Sequence, residues 1–201
     1  MADETDALTE LAEDQRQLAD IFRRIEHAEA RDEGLRHHTD QATIELVRHY
    51  VSEEEFLYPA LTEHPGPARH LVDHARDRLV EGADLVKSAT EDHARAERLM
   101  RDLASADVES AEFADLVQRL LRMFRTQTRD ERDLLFPYTR EVLPEPVLVD
   151  LGFRMRRVKS IVPTRPYPTA PGVPPTGRLL FPGPGLVDRV RAVLSGWSHT
   201  F

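Results

Sequence analysis

Two stretches decide the fold: HYVSEEEFLYP at residues 49–59 and QTRDERDLLFP at residues 127–137. Aligned on their glutamates they read His/Gln-x3-Glu-x3-Leu-Tyr/Phe-Pro, the second copy 78 residues after the first. A second motif keeps the same offset, since Glu13-Asp14-Gln15 recurs as Glu91-Asp92-His93. Two motifs sharing one offset imply that a helix pair has been duplicated, which places the two copies about a pseudo-twofold axis.

Working outward, four apolar stripes with alternating spacings of three and four surround these motifs. Helix A, about Glu4–Ala30, carries Leu8, Leu11, Gln15, Leu18, Phe22 and Ile25. Helix B, about Leu35–Glu63, carries Leu46, His49, Glu53, Phe56 and Ala60. Helix C, about Gly82–Ala104, carries Val86, Ala89, His93, Ala96, Glu97, Met100 and Leu103. Helix D, about Ala111–Val142, carries Phe113, Leu116, Leu120, Met123, Gln127, Glu131 and Leu134. Such stripes belong to helices packed at a shallow angle. The fold expected is all-α, an up-and-down four-helix bundle over residues 1–145. The duplication leaves residues 67–80 as an insert, expected to form a short helix.

Prolines mark the rest. Four lie in the first 143 residues, and ten lie between Pro144 and Pro184. Residues 146–201 therefore read as a Pro-rich C-terminal extension packed on the bundle, with a helix near Leu148–Ser160 and a short amphipathic helix in LVDRVRAVLSGW at its end. The basic cluster Arg154, Arg156, Arg157 and Lys159 reads as a solvated helix face.

Composition narrows the function. Cysteine is absent, so thiolate metal sites and cysteine nucleophiles are excluded, and a reducing cytoplasm is the expected location. The formal charge of −9 argues against nucleic acid as a partner. No apolar run approaches a membrane span.

Each stripe is interrupted at mid-length by polar residues: Gln15 in helix A, His49 and Glu53 in B, His93 and Glu97 in C, Gln127 and Glu131 in D. The last three pairs have i, i+4 spacing, so each projects from one helix face. Buried carboxylates need partners, a proton or a metal. Three glutamates and two histidines at one level concentrate negative charge that two cations would neutralise. The other reading is a metal-free polar layer in which the glutamines satisfy the carboxylates by hydrogen bonds. Weaker signals are the i, i+4 pair His70/His74, read mainly as a solvated face of the inserted helix, and Tyr50 and Tyr58, which flank the His49/Glu53 pair and are read as ordinary packing, the other reading being that Tyr58 points toward the metal layer as a redox neighbour.

The runs ELVRHYVSEEEFLYPAL, ATEDHARAERLM and DLLFPYTRE resemble the hemerythrin-like HHE cation-binding family, and the segments VPTRPYPTAPGVPPTG and GLVDRVRAVLSG resemble the C-terminal extension of a bacterial subgroup. The resemblance implies two non-haem irons, manganese being the other metal suited to such donors. It assigns His49 and Glu53 to the helix B ligands, His93 and Glu97 to helix C, and Glu131 to helix D, with Glu53 and Glu131 bridging. Gln15 and Gln127 stand where the family has histidine, so each iron loses one imidazole and gains an open position. A small diatomic or peroxide ligand, meaning O2, peroxide or NO, is the partner such a site implies, and an oxidase or peroxidase, a non-haem di-iron oxidoreductase, is the activity. The alternative is a metal-free degenerate bundle serving as a sensor or protein-interaction scaffold.

Overall fold

The helices begin where the sequence supplies caps. Asp6 accepts a hydrogen bond from the Thr9 amide (2.7 Å) and opens α1, Ala7–His27. Ser110 accepts from the Phe113 amide (3.1 Å) and opens α5, Ala111–Asp130. Caps of this kind contribute about 1 kcal/mol each. The computed structural model describes residues 5–28, 33–64, 69–73, 76–80, 82–159, 188, 190 and 191, with residues 33, 69–73 and 76–80 described as backbone.

Helix α2 spans Glu33–Ser52 and continues through a π-helical turn, Glu53–Leu57, into α3, Tyr58–Glu63. Helix α4 spans Gly82–Ser105; after α5 a second π-helical turn, Glu131–Leu135, leads into α6, Phe136–Val142, and α7 covers Glu145–Lys159. The pairs α1/α2 and α4/α5 pack as two hairpins, with α2 against α4. The ring is closed between α1 and α5, where Phe22 stacks on Phe124 (centroids 4.9 Å apart) and Arg125 pairs with Glu26 (3.0 Å). The all-α four-helix bundle is thus the fold, and its core is the set of apolar stripes read from the sequence.

Arg36 ties the start of α2 to the far hairpin. Its guanidinium donates to the carbonyls of Leu103 (2.8 Å) and Ala106 at the end of α4 and lies 4.8 Å from the centre of the Phe113 ring. The last carbonyls of a helix lack partners within it, so one arginine here both caps α4 and covers an aromatic face.

The π-helical turns have a local cause. Pro59 and Pro137 follow two residues after the apolar end of each motif, and proline neither donates a hydrogen bond nor tolerates the carbonyl four residues before it. Each chain widens instead by one residue: the Tyr58 amide donates to the Glu53 carbonyl, and the Phe136 amide to the Glu131 carbonyl. The repeat therefore places one π-helical turn at the same point of each half, each beginning on a glutamate.

Two expectations are corrected. The insert is an antiparallel hairpin: β1, Arg69–Asp73, pairs with β2, Arg76–Val80, in the register Arg69↔Val80 to Asp73↔Arg76. Fourteen residues detached from the bundle's repeat make a marginal helix. Leu-Val at both 71–72 and 79–80, about a two-residue connection, suits a hairpin. The helical spacing of His70 and His74 is therefore void, since His70 lies in β1 and His74 falls outside the described residues. The basic cluster is the second, corrected in part, since Arg154 and Arg157 are exposed as expected. Arg156 pairs with Glu10 (2.8 Å) and donates to the Thr5 carbonyl (2.7 Å), while Lys159 is buried against Asp14.

These contacts dock α7 on α1, where Gly152 passes so close to Thr5–Ala7 that a Cβ would overlap backbone atoms. Arg48 of α2 donates to the Lys159 carbonyl (2.7 Å), so α2 is covered on its outer side too, and every residue from Ala42 to Glu53 is buried. In the expected C-terminal helix, Asp188, Val190 and Arg191 are helical; its other residues, and the Pro-rich run before it, lie outside the described residues. Among the described residues no helix is long and apolar enough to cross a membrane.

Candidate metal centre

Because Glu53 and Glu131 each open a π-helical turn in facing hairpins, their carboxylates meet at mid-bundle. Nε2 of His49 lies 3.7 Å from Oε2 of Glu53 and 3.5 Å from Oε2 of Glu131. One donor atom from each of these three residues falls within 4.8 Å of the others, and all three are buried. Nε2 of His93 lies 3.2 Å from the same Glu53 oxygen. The structure thus brings together His49, Glu53, Glu131 and His93.

Glu97 stands apart from this group. Its Oε1 accepts from Arg191 Nε (2.8 Å) and from Arg191 Nη2, and its Oε2 accepts from Arg101 Nη2 (3.2 Å). Gln15 and Gln127 are buried in the layer and hydrogen-bonded. Gln15 Nε2 donates to Glu131 Oε2 (2.5 Å), and Gln127 Oε1 accepts from the Tyr50 hydroxyl (2.7 Å).

Several further side chains join the layer. Tyr58, expected to be plain packing, directs its hydroxyl between Glu53 Oε2 (3.4 Å) and His93 Nε2 (3.3 Å). Tyr50 lies flat on His93, ring centres 3.9 Å apart and planes 16° from parallel. Glu54 holds His93 Nδ1 (2.8 Å) and pairs through its other oxygen with Arg191 (2.7 Å). Asp14 stands 3.5 Å from His49 Nδ1 and is paired with Lys159. The repeat itself carried a signal for Asp14, because it travels with Gln15 as Asp92 does with His93. Arg191, 94 residues from Glu97 and 137 from Glu54, offered none.

The electrostatics follow from burial and proximity. Burial works against a charge on His49, but Glu53, Asp14 and Glu131 outweigh it and raise its pKa well above the ordinary value. His93 is likewise pushed up to about 9, burial being outweighed by Glu53 and Glu54. Burial and the neighbouring Glu53 charge raise Glu131. Burial, then the Glu53 charge, raises Tyr58.

Whether a cation fits is decided by what is left over. Glu53 is 0% exposed, yet its Oε1 has no hydrogen-bond partner among the described residues. A buried acceptor without a partner costs about 1–3 kcal/mol, and more for a charged group. A cation held by one imidazole and two carboxylates meets that deficit, and this nitrogen-and-oxygen donor set suits iron or manganese. Clefts reach the layer beside both glutamines. One, between α1 and α5, is lined by Gln15 and Phe124; the other, between α4 and α5, is lined by Asp92, Gln127 and Glu131.

The sequence matches the hemerythrin HHE cation-binding domain over residues 6–139. The chain belongs to the hemerythrin-like family. An uncharacterized hemerythrin-like protein of Schizosaccharomyces pombe is 24% identical over 186 residues, covering 92% of this chain and 84% of that one. No solved structure gives a significant match. For this hemerythrin-like chain, cation binding is therefore the function its family shares, and His49, Glu53 and Glu131 form a group suited to it.

Proposed function

We propose that this hemerythrin-like chain is a cytoplasmic non-haem iron protein that binds or reacts with O2, peroxide or nitric oxide. The observation that carries the reading is the convergence of His49 Nε2 with the Glu53 and Glu131 carboxylates around a fully buried carboxylate oxygen that lacks any partner. His49, Glu53 and Glu131 would hold a ferrous ion, which would supply redox chemistry toward such small ligands. Glu53 and Glu131 hold the charge at the centre. Asp14 faces the far nitrogen of His49 and steadies the ring, the role usual for a carboxylate behind a metal-ligating imidazole. The Tyr58 hydroxyl, beside Glu53, is placed to donate a hydrogen bond at the layer. The clefts at Gln15 and Gln127 adjoin the two positions where the family's imidazoles are missing, which is where a small ligand would enter.

One observation favours the opposing, metal-free reading. Gln15 donates to Glu131 and Gln127 accepts from Tyr50, so both glutamines are used as hydrogen-bonding residues. Metal content decides between them. Protein grown in iron- and manganese-supplemented medium should carry metal, and a Glu53→Ala, Glu131→Ala variant should carry none. The iron-loaded native protein should then show an absorbance change on mixing with O2, peroxide or NO. Background metal in both proteins would leave a scaffold whose function lies on its surface.

A further inference from the structure

The two halves of the layer are not equivalent. By the repeat, His49 corresponds to Gln127 and His93 to Gln15, so each half keeps one imidazole. Their surroundings diverge. Tyr50 and Tyr58 correspond to Thr128 and Phe136, Glu54 to Arg132, and Glu97 to Ala19. The half around His93 has thus acquired two hydroxyl-bearing rings and two carboxylates that the half around His49 lacks.

Those additions are spent on each other and on Arg191. The guanidinium spans Glu54 Oε2 (2.7 Å) and Glu97 Oε1 (2.8 Å from Nε). Arg101 takes the second Glu97 oxygen (3.2 Å) and is itself held by Asp188 (2.8 Å), three residues before Arg191. One short turn of the C-terminal segment therefore attaches at two points, its acid to Arg101 and its base to Glu54 and Glu97. The two inward carboxylates, Glu54 and Glu97, are thus each held by a guanidinium without any ion, while Asp188 on the outside holds Arg101 in place. Gln127 has its oxygen on Tyr50, and His93 lies against the rings of Tyr50 and Tyr58. Around His49, among the described residues, no arginine reaches the carboxylates and Lys159 is held on Asp14 behind the ring: Glu53 Oε1 stays unpartnered, and Glu131 meets His49 and the neutral Gln15.

We propose that this chain holds a single ion, on His49, Glu53 and Glu131, and that the Arg191 guanidinium takes the place of a second one by occupying Glu97 and Glu54. The inference rests on the metal-binding reading above and reduces to one the two irons that the family resemblance implies. A planar guanidinium that donates to two carboxylates at once is suited to the role, since it delivers a permanent charge with fixed directions.

The test is the number of ions bound by the full chain at saturation, by anaerobic equilibrium dialysis against Fe(II) and separately Mn(II). The native chain should bind one per chain. Arg191→Met should bind two, because Glu97 is released to join His93. Adding Glu97→Gln to that variant should return the count to one. Arg191→Gln, which keeps a polar side chain, gives a second measure of the same change, and circular dichroism checks that each variant is folded. Two ions on the native chain would overturn the inference and leave the metal-binding reading standing. One ion on both native and Arg191→Met would overturn the role of Arg191. No ion on any of them would overturn the metal-binding reading itself.

Discussion

Replacing Tyr50 by Phe removes one oxygen atom and tests what Gln127 does. The Tyr50 hydroxyl donates to Gln127 Oε1 at 2.7 Å, and Gln127 Nε2 already has no partner. Both residues are buried, so Tyr50→Phe leaves a buried amide with neither end satisfied. Losing the bond costs about 1 kcal/mol net, and stranding the acceptor brings the total to about 2 kcal/mol. Gln127→Leu strands the Tyr50 hydroxyl but also removes the unpaired amide donor, so it should cost about 1 kcal/mol or less. The double variant Tyr50→Phe, Gln127→Leu leaves no stranded group and should return to within about 1 kcal/mol of native. Urea unfolding of the four proteins gives the coupling directly, with about 1.5–2 kcal/mol expected between the two sites. Costs that add to within about 0.5 kcal/mol would refute the reasoning and free Gln127 for another role, metal ligation included.

Three further outcomes follow from buried charges and close packing. Asp40 is buried, one of its oxygens lacks a partner, and burial outweighs Arg36 to raise its pKa to about 6. The folded protein thus binds this proton more tightly than the unfolded chain, so Asp40's contribution is full below about pH 4 and lost as the pH rises through about 6. Asp40→Asn should therefore stabilise by about 2–3 kcal/mol more at pH 8 than at pH 4, measured by denaturant melts at both pH values. Lys159→Met leaves Asp14 without its cation and should cost about 2–4 kcal/mol, with part of the loss recovered by adding Asp14→Asn; an unchanged midpoint would count against a structural pair. Gly152→Ala forces a methyl group onto the Thr5 carbonyl, so the helix-propensity gain should be outweighed by a net loss of about 1–2 kcal/mol, with faster amide exchange confined to α7.

Much of the molecule was legible in the sequence. The three-four stripes located all four bundle helices, and the repeat paired them, because burial of one face is a periodic signal. Asp6 and Ser110 mark two starts by chemistry that depends on neighbours only. The π-helical turns do not show in the stripes although Pro59 and Pro137 announce them, since both prolines fall inside the spans expected for helices B and D and a stripe records which face is buried, not a widening by one residue. The insert was misassigned because a short segment outside the repeat has no periodicity long enough to separate helix from strand. His49, Glu53 and Glu131 were legible as inward polar residues. Glu97 was equally inward, but which way its carboxylate turns depends on Arg191, a contact set by tertiary packing and invisible to local pattern. The same holds for Lys159, whose partner Asp14 lies 145 residues away.

The most direct test of the centre is a crystal of the iron-loaded chain measured at the iron absorption edge. A single anomalous peak within bonding distance of His49 Nε2, Glu53 and Glu131, with Arg191 still on Glu97, is the result predicted here. A bundle without any anomalous peak, or a peak bound by neither glutamate, would contradict the account.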